Sequence, residues 1–359
     1  MEGAILKGRA VSPILATLIL AAIVISAGIY LYAQASGILH RWYSRIDVQI
    51  VSLDLYKFED KVLLSVSVKN TGSKPLAGIV VSGYDDNGKS FSLALPPADP
   101  GSTTSNSLII PLGVSNIVLD GSGNNYHGTI YGASWVDDPV LGTCLSFDGA
   151  NDYLDVDFLS DVQEWDELSV SLWVKLLSTP DSIADSYIGS PAWSNEGGLL
   201  VYTGTSGHVS ARLRNDPLDT ETACLFEDNV LSEWRCYAFT FNRPTLKTYV
   251  NGGFAHQATW DYPVRTDGHI NIGRWGGGYQ HCIIDEIRIY SIAMSDAKIS
   301  FVNANPELPP TEGLVLWLPL NEGSNNPFSF TSGDSYPITV TAYSLDGDVY
   351  VKTVSAVCS

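Results

Sequence analysis

Positive charge is scarce in this chain of 359 residues. Lysine and arginine together number 20 against 39 aspartates and glutamates, so the formal net charge is −19 at pH 7. Residues 46–359 hold 16 of the basic and 38 of the acidic side chains, a net charge of −22. A surface this acidic repels phosphate backbones, so we expect no nucleic-acid partner. Composition alone leaves open whether the excess acid serves solubility or cation binding.

Several signatures of catalysis and metal chemistry are also missing. The five cysteines form no Cys-x-x-Cys pair and share no zinc-like spacing with the six histidines. No Gly-x-Ser-x-Gly nucleophile elbow occurs. The nearest approach to the alternating acids of a retaining glycosidase is Glu164–Glu167, whose last acid points to the opposite face of a strand. The sequence therefore predicts that the chain is not an enzyme.

One long uncharged run is present near the N-terminus. It extends from Val11 to Leu39, 29 residues, or roughly 44 Å as a helix, which is enough to span a bilayer. Lys7 and Arg9 precede it, as the positive-inside rule expects of a cytoplasmic end. A secretory leader has a shorter apolar region. The run predicts a hydrophobic helix over residues 11–45, and its hydrophobicity suits a plain membrane anchor equally well.

The stretch Arg9–Thr17 resembles the class III signal of archaeal type IV pilins. The resemblance implies cleavage between Ala10 and Val11, with Gly8/Arg9 as the alternative, and retention of the apolar helix. A retained helix can leave the membrane only by packing against copies of itself, which small side chains allow. The resemblance therefore implies a precursor inserted in the membrane and an extracellular filament built from many copies of the chain.

Beyond Arg45 the pattern changes to alternating polar and apolar residues, as in Leu64–Val68, which is typical of half-buried strands. The segment Val66–Pro100 resembles the immunoglobulin-like domain of archaeal pilins, but the strands expected to end it appear only after Thr331. One β-sandwich interrupted by an insert accounts for this order, since exposed loops tolerate inserted domains. The predicted limits are 1–10 (leader), 11–45 (helix), 46–111 (sandwich, first part), 112–326 (insert) and 327–359 (sandwich, second part).

The insert resembles the laminin-G/concanavalin-like jelly roll in four stretches, Leu145–Tyr153, Leu168–Lys175, Leu246–Gly252 and Ile272–Tyr290. The strand Gly313–Gly323, which normally opens this fold, comes last here, so the domain is predicted to be circularly permuted. The predicted fold class is mainly β, with a long N-terminal hydrophobic α-helix and an immunoglobulin-like sandwich interrupted by a concanavalin-like jelly roll.

The resemblance also implies candidate residues for calcium, because domains of this family often hold a calcium ion near the rim. By position these are Asp120, Asn124 and Asp285, and the oxygens of such a turn suit a hard cation. The same residues are also ordinary turn chemistry, with Asp285 accepting a buried hydrogen bond. Both interpretations stay open.

Aromatic side chains among Gly, Pro, Asn and Asp residues are the candidates for stacking on a sugar ring. These are Trp193, Trp260, Trp275 and Tyr279. Trp275 is either a stacking platform or a cover for the edge of the sandwich.

Disulfides are the natural use of cysteines in an exported domain. Cys224 and Cys236 flank a hairpin-sized segment and are predicted to pair. Cys144 and Cys282 precede strands that the laminin-G resemblance places side by side, which implies a second disulfide. Cys358 is left over.

Together these features predict a filament subunit at the cell surface whose lectin-like insert adheres to glycans or surfaces. The alternative is a membrane-anchored receptor that binds extracellular glycans without assembling. The predicted partners are copies of the chain itself, glycans, and the membrane before assembly. Apart from calcium, no cofactor is expected.

Overall fold

The computed structural model of the protein describes residues 45–179, 186–190, 198–204, 207–215 and 220–359. Strands dominate these residues, and they form two β-sandwiches with separate hydrophobic cores.

The first sandwich consists of a three-stranded and a four-stranded antiparallel sheet. Alternation along the chain explains its strands, because Val62, Leu64, Val66 and Val68 are buried while the residues between them point outward. In spatial order, the first sheet is β1 (Val48–Phe58), β2 (Lys61–Asn70) and β5 (Thr103–Pro111), and the second is β25 (Val349–Val357), β24 (Ser335–Tyr343), β3 (Gly78–Tyr84) and β4 (Ser90–Leu95).

The four-stranded sheet joins segments that are far apart in sequence. Strand β24 pairs with β3 in a register that places Tyr343 opposite Gly78. A parallel bridge between Leu112 and Phe328 brings together the two points where the chain leaves and re-enters this sandwich. The domain limits given above stay predictions.

The second sandwich consists of two larger sheets around one extensive core. Sheet I contains, in spatial order, β15 (Thr220–Asp228), β14 (His208–Asn215), β13 (Gly198–Thr203), β12 (Ser186–Gly189), β19 (Val264–Ile272), β10 (Tyr153–Trp165), β7 (Gly128–Tyr131) and β6 (Ile117–Val118). Sheet II contains β18 (Gly253–Thr259), β17 (Thr245–Val250), β16 (Trp234–Asn242), β11 (Glu167–Leu176), β22 (His281–Tyr290), β9 (Gly142–Asp148) and β8 (Ser134–Asp138), and β23 (Leu314–Leu318) also pairs with β22. A short hairpin, β20 (Arg274–Trp275) and β21 (Gly278–Tyr279), follows β19.

The outer face of sheet II is covered by a short helix and by the first sandwich. Helix α1 (Asp296–Ala304) packs Ile299 and Val302 against this face. Trp317 of β23 lies in an apolar cluster with Phe301 of α1 and with Val80 and Tyr343 of the first sandwich. This packing leaves the outer face of sheet I as the broad face of the second sandwich that carries exposed side chains.

The predicted fold class is corrected in one respect, its long hydrophobic helix. Within the described residues the only helix is the nine-residue α1, and none is long and apolar enough to cross a membrane. The described chain instead closes its backbone hydrogen bonds in strand ladders. The helix was inferred from hydropathy over residues 11–45, and these residues, like the leader and its predicted cleavage residues Gly8, Arg9, Ala10 and Val11, lie outside the described part except for Arg45.

The predicted disulfides are absent, since all five cysteines, which lie in the described part of the chain, are free and buried. Cys224 faces the core between the two sheets, whereas Cys236 lies on the far side of sheet II. Cys282 also faces the core, and the strand register pairs it with Phe147 rather than with Cys144. Side-chain alternation along the strands thus separates both predicted pairs.

Candidate functional site

Two tyrosines form a stacked pair on the outer face of sheet I. Tyr131 of β7 lies opposite Tyr153 of β10, and their ring centroids are 4.5 Å apart with the planes inclined by 8°. Their neighbours Ile130 and Leu154 are buried in the core, so alternation directs both tyrosines outward. Tyr131 keeps 44% of its surface exposed, which leaves an aromatic platform in contact with solvent.

Arg274 extends this platform on the other side of Tyr153. Its Cζ atom lies 4.0 Å from the centroid of the Tyr153 ring. Strand β10 lies between β7 and β19, and only Gly273 separates Arg274 from the end of β19, so Tyr153 is flanked by Tyr131 and Arg274. A guanidinium over an aromatic ring is stabilised by roughly 0.5–1 kcal/mol at exposed sites.

Gly273 makes this placement of Arg274 possible. Its φ angle is +79°, a conformation that costs little only for glycine, and a Cβ atom here would lie 2.5 Å from the Phe147 ring. The chain therefore turns out of sheet I at Gly273 and enters the β20–β21 hairpin. The backbone N–H of Gln280 donates to the carbonyl of Gly273 at 2.8 Å and closes the hairpin.

The guanidinium of Arg274 contacts the Tyr153 ring and makes no ion pair with a carboxylate of the described residues. Other arginines there, such as Arg212, Arg235 and Arg265, do pair with a carboxylate. The N–H groups of Arg274 at the edge of the tyrosine stack are therefore available as donors.

Polar side chains continue the same face along β10 and β19. The Nδ1 atom of His269 lies 3.5 Å from Oδ1 of Asp155, and its Nε2 atom lies 3.9 Å from Oδ1 of Asp157. Asn271 lies directly opposite Asp155 in the strand register. We call the side chains of Tyr131, Tyr153, Asp155, His269, Asn271 and Arg274 the tyrosine–arginine face. It combines stacking surface with donors and acceptors for hydroxyl groups on Asp155, His269 and Arg274, whereas Asn271 is buried beneath it.

Three of the four aromatic candidates lie in described parts of the chain. Trp275 and Tyr279 are half-buried in the hairpin beside the tyrosine–arginine face. A Cβ atom on Gly189 of β12 would lie 3.4 Å from the Trp275 ring, so this indole rests on the outer surface of sheet I. Trp260 is only 4% exposed and packs in the core against Tyr262. Trp193 lies outside the described residues.

Two of the calcium candidates, Asp120 and Asn124, lie in one turn, where both hydrogen-bond with the hydroxyl of Ser122. Both carboxylate oxygens of Asp120 accept hydrogen bonds, Oδ1 from the backbone of Trp317 and Oδ2 from the backbone of Tyr126. The amide of Asn124 donates to the carbonyl of Val315 at 2.8 Å. Asp285 lies on β22. No cluster of three or more potential metal-ligating side chains occurs in the described part of the chain. Calcium binding stays a prediction.

Sequence reasoning missed the residues at the centre of this face, Tyr131, Tyr153 and Arg274. Alternation with Leu154 and Val156 signals that Tyr153 points away from the core. The pairing of Tyr153 with Tyr131 depends on the register between strands more than twenty residues apart, and no local pattern reveals it.

Comparison with known proteins agrees with the two-sheet geometry of the second sandwich. Residues 148–300 match the model of the family described as the concanavalin A-like lectin/glucanases superfamily. The insert contains a laminin-G-like domain. This part of the sequence prediction is confirmed. No curated protein matches the chain.

Among solved structures, the chain is similar to domain 4 of AbnA, a GH43 extracellular arabinanase from Geobacillus stearothermophilus, in complex with arabinotriose. The TM-score is 0.40 at 17% identity, over 53% of this chain and 98% of that one. It is also similar to a native heptameric SAP-like pentraxin from Limulus polyphemus, with a TM-score of 0.38 at 14% identity, over 59% and 94%. A third is the CBM40 of the Ruminococcus gnavus IT-sialidase bound to alpha2,3 sialyllactose, with a TM-score of 0.32 at 13% identity, over 44% and 96%.

Proposed function

We propose that the chain is a carbohydrate-binding protein that acts outside the cell and holds glycans on the tyrosine–arginine face. The observation that carries the proposal is the stack of Tyr131, Tyr153 and Arg274 on an exposed sheet face. The apolar face of a sugar ring packs on an exposed aromatic ring, while its hydroxyl groups need directed donors and acceptors. Arg274, Asp155 and His269 provide these beside the stack.

The laminin-G-like domain supports this proposal, because the matching family is described by its lectins. That description also includes glucanases, so catalysis is the rival function. Asp155 and Asp157 are two residues apart on β10, and both lie beside His269. In our proposal these carboxylates orient sugar hydroxyls, and the protein binds glycans without cleaving them. Release of reducing ends from a bound glycan would contradict this part of the proposal.

The test is glycan binding by the full chain on an array, followed by titration with the best ligand. Tyr153→Ala and Arg274→Ala should each weaken binding at least tenfold. Tyr84→Ala is the matched control, since Tyr84 is 60% exposed on the first sandwich and should leave binding unchanged. Equal binding by all three variants would remove the tyrosine–arginine face as the site. Repeating the titration with a chelator tests the calcium prediction.

A second candidate function, subunit of an extracellular filament, is favoured by the signal-like stretch Arg9–Thr17. In this case the mature chain is expected to begin at Val11, or at Arg9, and to be found in filaments sheared from cells. Recovery only as a full-length monomer extracted from membranes would favour the anchored receptor instead.

A further inference from the structure

A separate cavity of about 380 Å³ lies in the second sandwich and shares no lining residue with the tyrosine–arginine face. It is bounded by the loop between β8 and β9, by β22, by the segment after helix α1 and by the segment after β23. This volume is in the range of pockets that take small molecules. The lining residues that matter here are Val140, Asp285, Glu286, Asn305, Glu307 and Leu308.

The lining of this cavity is negatively charged. It includes three acidic side chains, Asp285, Glu286 and Glu307, and neither lysine nor arginine. Glu286 already has partners, because its Oε2 atom accepts hydrogen bonds from Arg288 at 2.5 Å and from the Trp317 indole at 2.8 Å. Asp285 makes no ion pair with the described residues, and the thiol of Cys144 and the backbone of Glu286 are the hydrogen-bond partners of its carboxyl group.

Asp285 is the buried acceptor that faces the cavity. The residue is only 3% exposed, and its Oδ1 atom has no hydrogen-bond partner. Burial, and then the neighbouring charge of Glu286, raise the pKa of Asp285 well above its usual range. A buried polar atom without a partner is costly, and the ionised form of Asp285, which burial disfavours, is stabilised by a cation placed beside it.

Helix α1 adds to the negative potential at the same place. Its C-terminal cap is Asn305, which lines the cavity, and its last turn contains no basic residue. The carboxyl end of a helix carries a partial negative charge that favours nearby cations. The acidic side chains and the carboxyl end of the helix therefore both favour a positively charged ligand.

We propose that this cavity binds a small organic cation, a primary ammonium group on a short aliphatic chain, with Asp285 as its counter-ion. The ammonium donates to Oδ1 of Asp285, and Asn305 on the same lining carries an amide oxygen that can accept a further hydrogen bond. Val140, Leu308 and Pro319 supply an apolar wall for the alkyl chain. A bare metal ion is a poorer match, since the described residues hold no cluster of three metal-ligating side chains.

The test is calorimetric titration of the full chain with n-propylammonium, alongside n-propanol as the neutral isostere and Ca²⁺ as the metal. The ammonium should bind, and n-propanol should bind at least tenfold more weakly. Asp285→Asn should weaken ammonium binding at least tenfold, while Asp54→Asn, at an exposed position on β1, should leave it unchanged.

A second variant keeps the test decisive if Asp285→Asn fails to fold. Val140 is 66% exposed at the mouth of the cavity, so Val140→Trp should fold and obstruct entry, lowering ammonium affinity several-fold. Tyr153→Ala should retain ammonium binding in full, because Tyr153 belongs to the glycan face. Equal affinity for n-propanol, binding of Ca²⁺ without the ammonium, or unchanged binding by Val140→Trp would each overturn the proposal.

Discussion

The Oε1 atom of Glu322 accepts a hydrogen bond from the backbone N–H of Leu119 at 2.7 Å. These two residues lie 203 positions apart, one shortly after the chain leaves the first sandwich and one shortly before it returns. Lys89, just before β4, completes the junction, because its Nζ atom donates to the carbonyl of Asn326 at 2.9 Å and lies 4.3 Å from the Phe328 ring. One buried polar cluster thus ties both ends of the insert to the first sandwich.

Glu322 should make the stability of the protein depend on pH. Burial raises the pKa of Glu322 from 4.5 to about 7, and burial raises that of Glu286 likewise to about 7. Between these values the folded chain binds protons at Glu322 and Glu286 that the unfolded chain has released, so the contribution of these two groups to stability falls as pH rises from about 4.5 to about 7 and is level above. A tenfold difference in proton affinity between the folded and unfolded chain corresponds to about 1.4 kcal/mol in unfolding free energy.

Urea unfolding at pH 5 and pH 8 measures this effect. Glu322→Gln removes one of the buried carboxyl groups whose pKa is raised, so the fall in unfolding free energy between pH 5 and pH 8 should become smaller. Glu312→Gln, which changes an exposed carboxylate, is the control and should leave the difference as it is. An identical pH dependence in Glu322→Gln would show that Glu322 does not titrate in this window.

Trp317 should stabilise the junction through its indole N–H as well as through its size. Trp317→Phe keeps an aromatic ring in the cluster but removes the 2.8 Å hydrogen bond to Glu286, at a cost of about 1.5–3 kcal/mol in unfolding free energy. Trp135→Phe removes a more exposed indole hydrogen bond to Asn325 and should cost below about 1 kcal/mol. Equal costs for the two variants in urea unfolding would contradict a special role for the buried bond.

The parts of the fold that follow from local patterns were accessible from the sequence. Alternation of Val62, Leu64, Val66 and Val68 with polar residues specifies a half-buried strand by itself. The laminin-G-like stretches could be recognised because each includes a hairpin or strand of its own, and the match over residues 148–300 agrees with them.

The candidate site depends on information that no local pattern contains. Tyr131 and Tyr153 meet because β7 and β10 pair in one register, and a shift of one residue would turn one of the rings into the core. The disulfide prediction was wrong for the same reason, since the spacing of Cys224 and Cys236 does not reveal that Cys224 faces the core while Cys236 lies on the far side of sheet II. Hydropathy over residues 11–39 likewise predicts the length of a helix but does not identify what that helix packs against.

The number of free cysteines can be measured directly. In urea without reductant, all five thiols should react with a thiol-specific reagent, because the folded chain contains no disulfide. In the native protein the reaction should be very slow, since every cysteine is buried and burial raises the pKa of Cys236 to about 12. Three reactive thiols in urea would instead indicate one disulfide and would overturn this description.

Gly273 should be essential both to stability and to glycan binding. Alanine at this position must adopt a φ near +79° and place its Cβ 2.5 Å from the Phe147 ring, which should cost about 1–3 kcal/mol in unfolding free energy. The chain would also turn differently before Arg274, so glycan affinity should fall more than the loss of folded protein explains. Gly277→Ala is the matched control in the same hairpin, since nothing lies within 4 Å of a Cβ there. Urea unfolding and glycan titration of both variants check this, and equal behaviour of the two would contradict the dependence of Arg274 on the Gly273 turn.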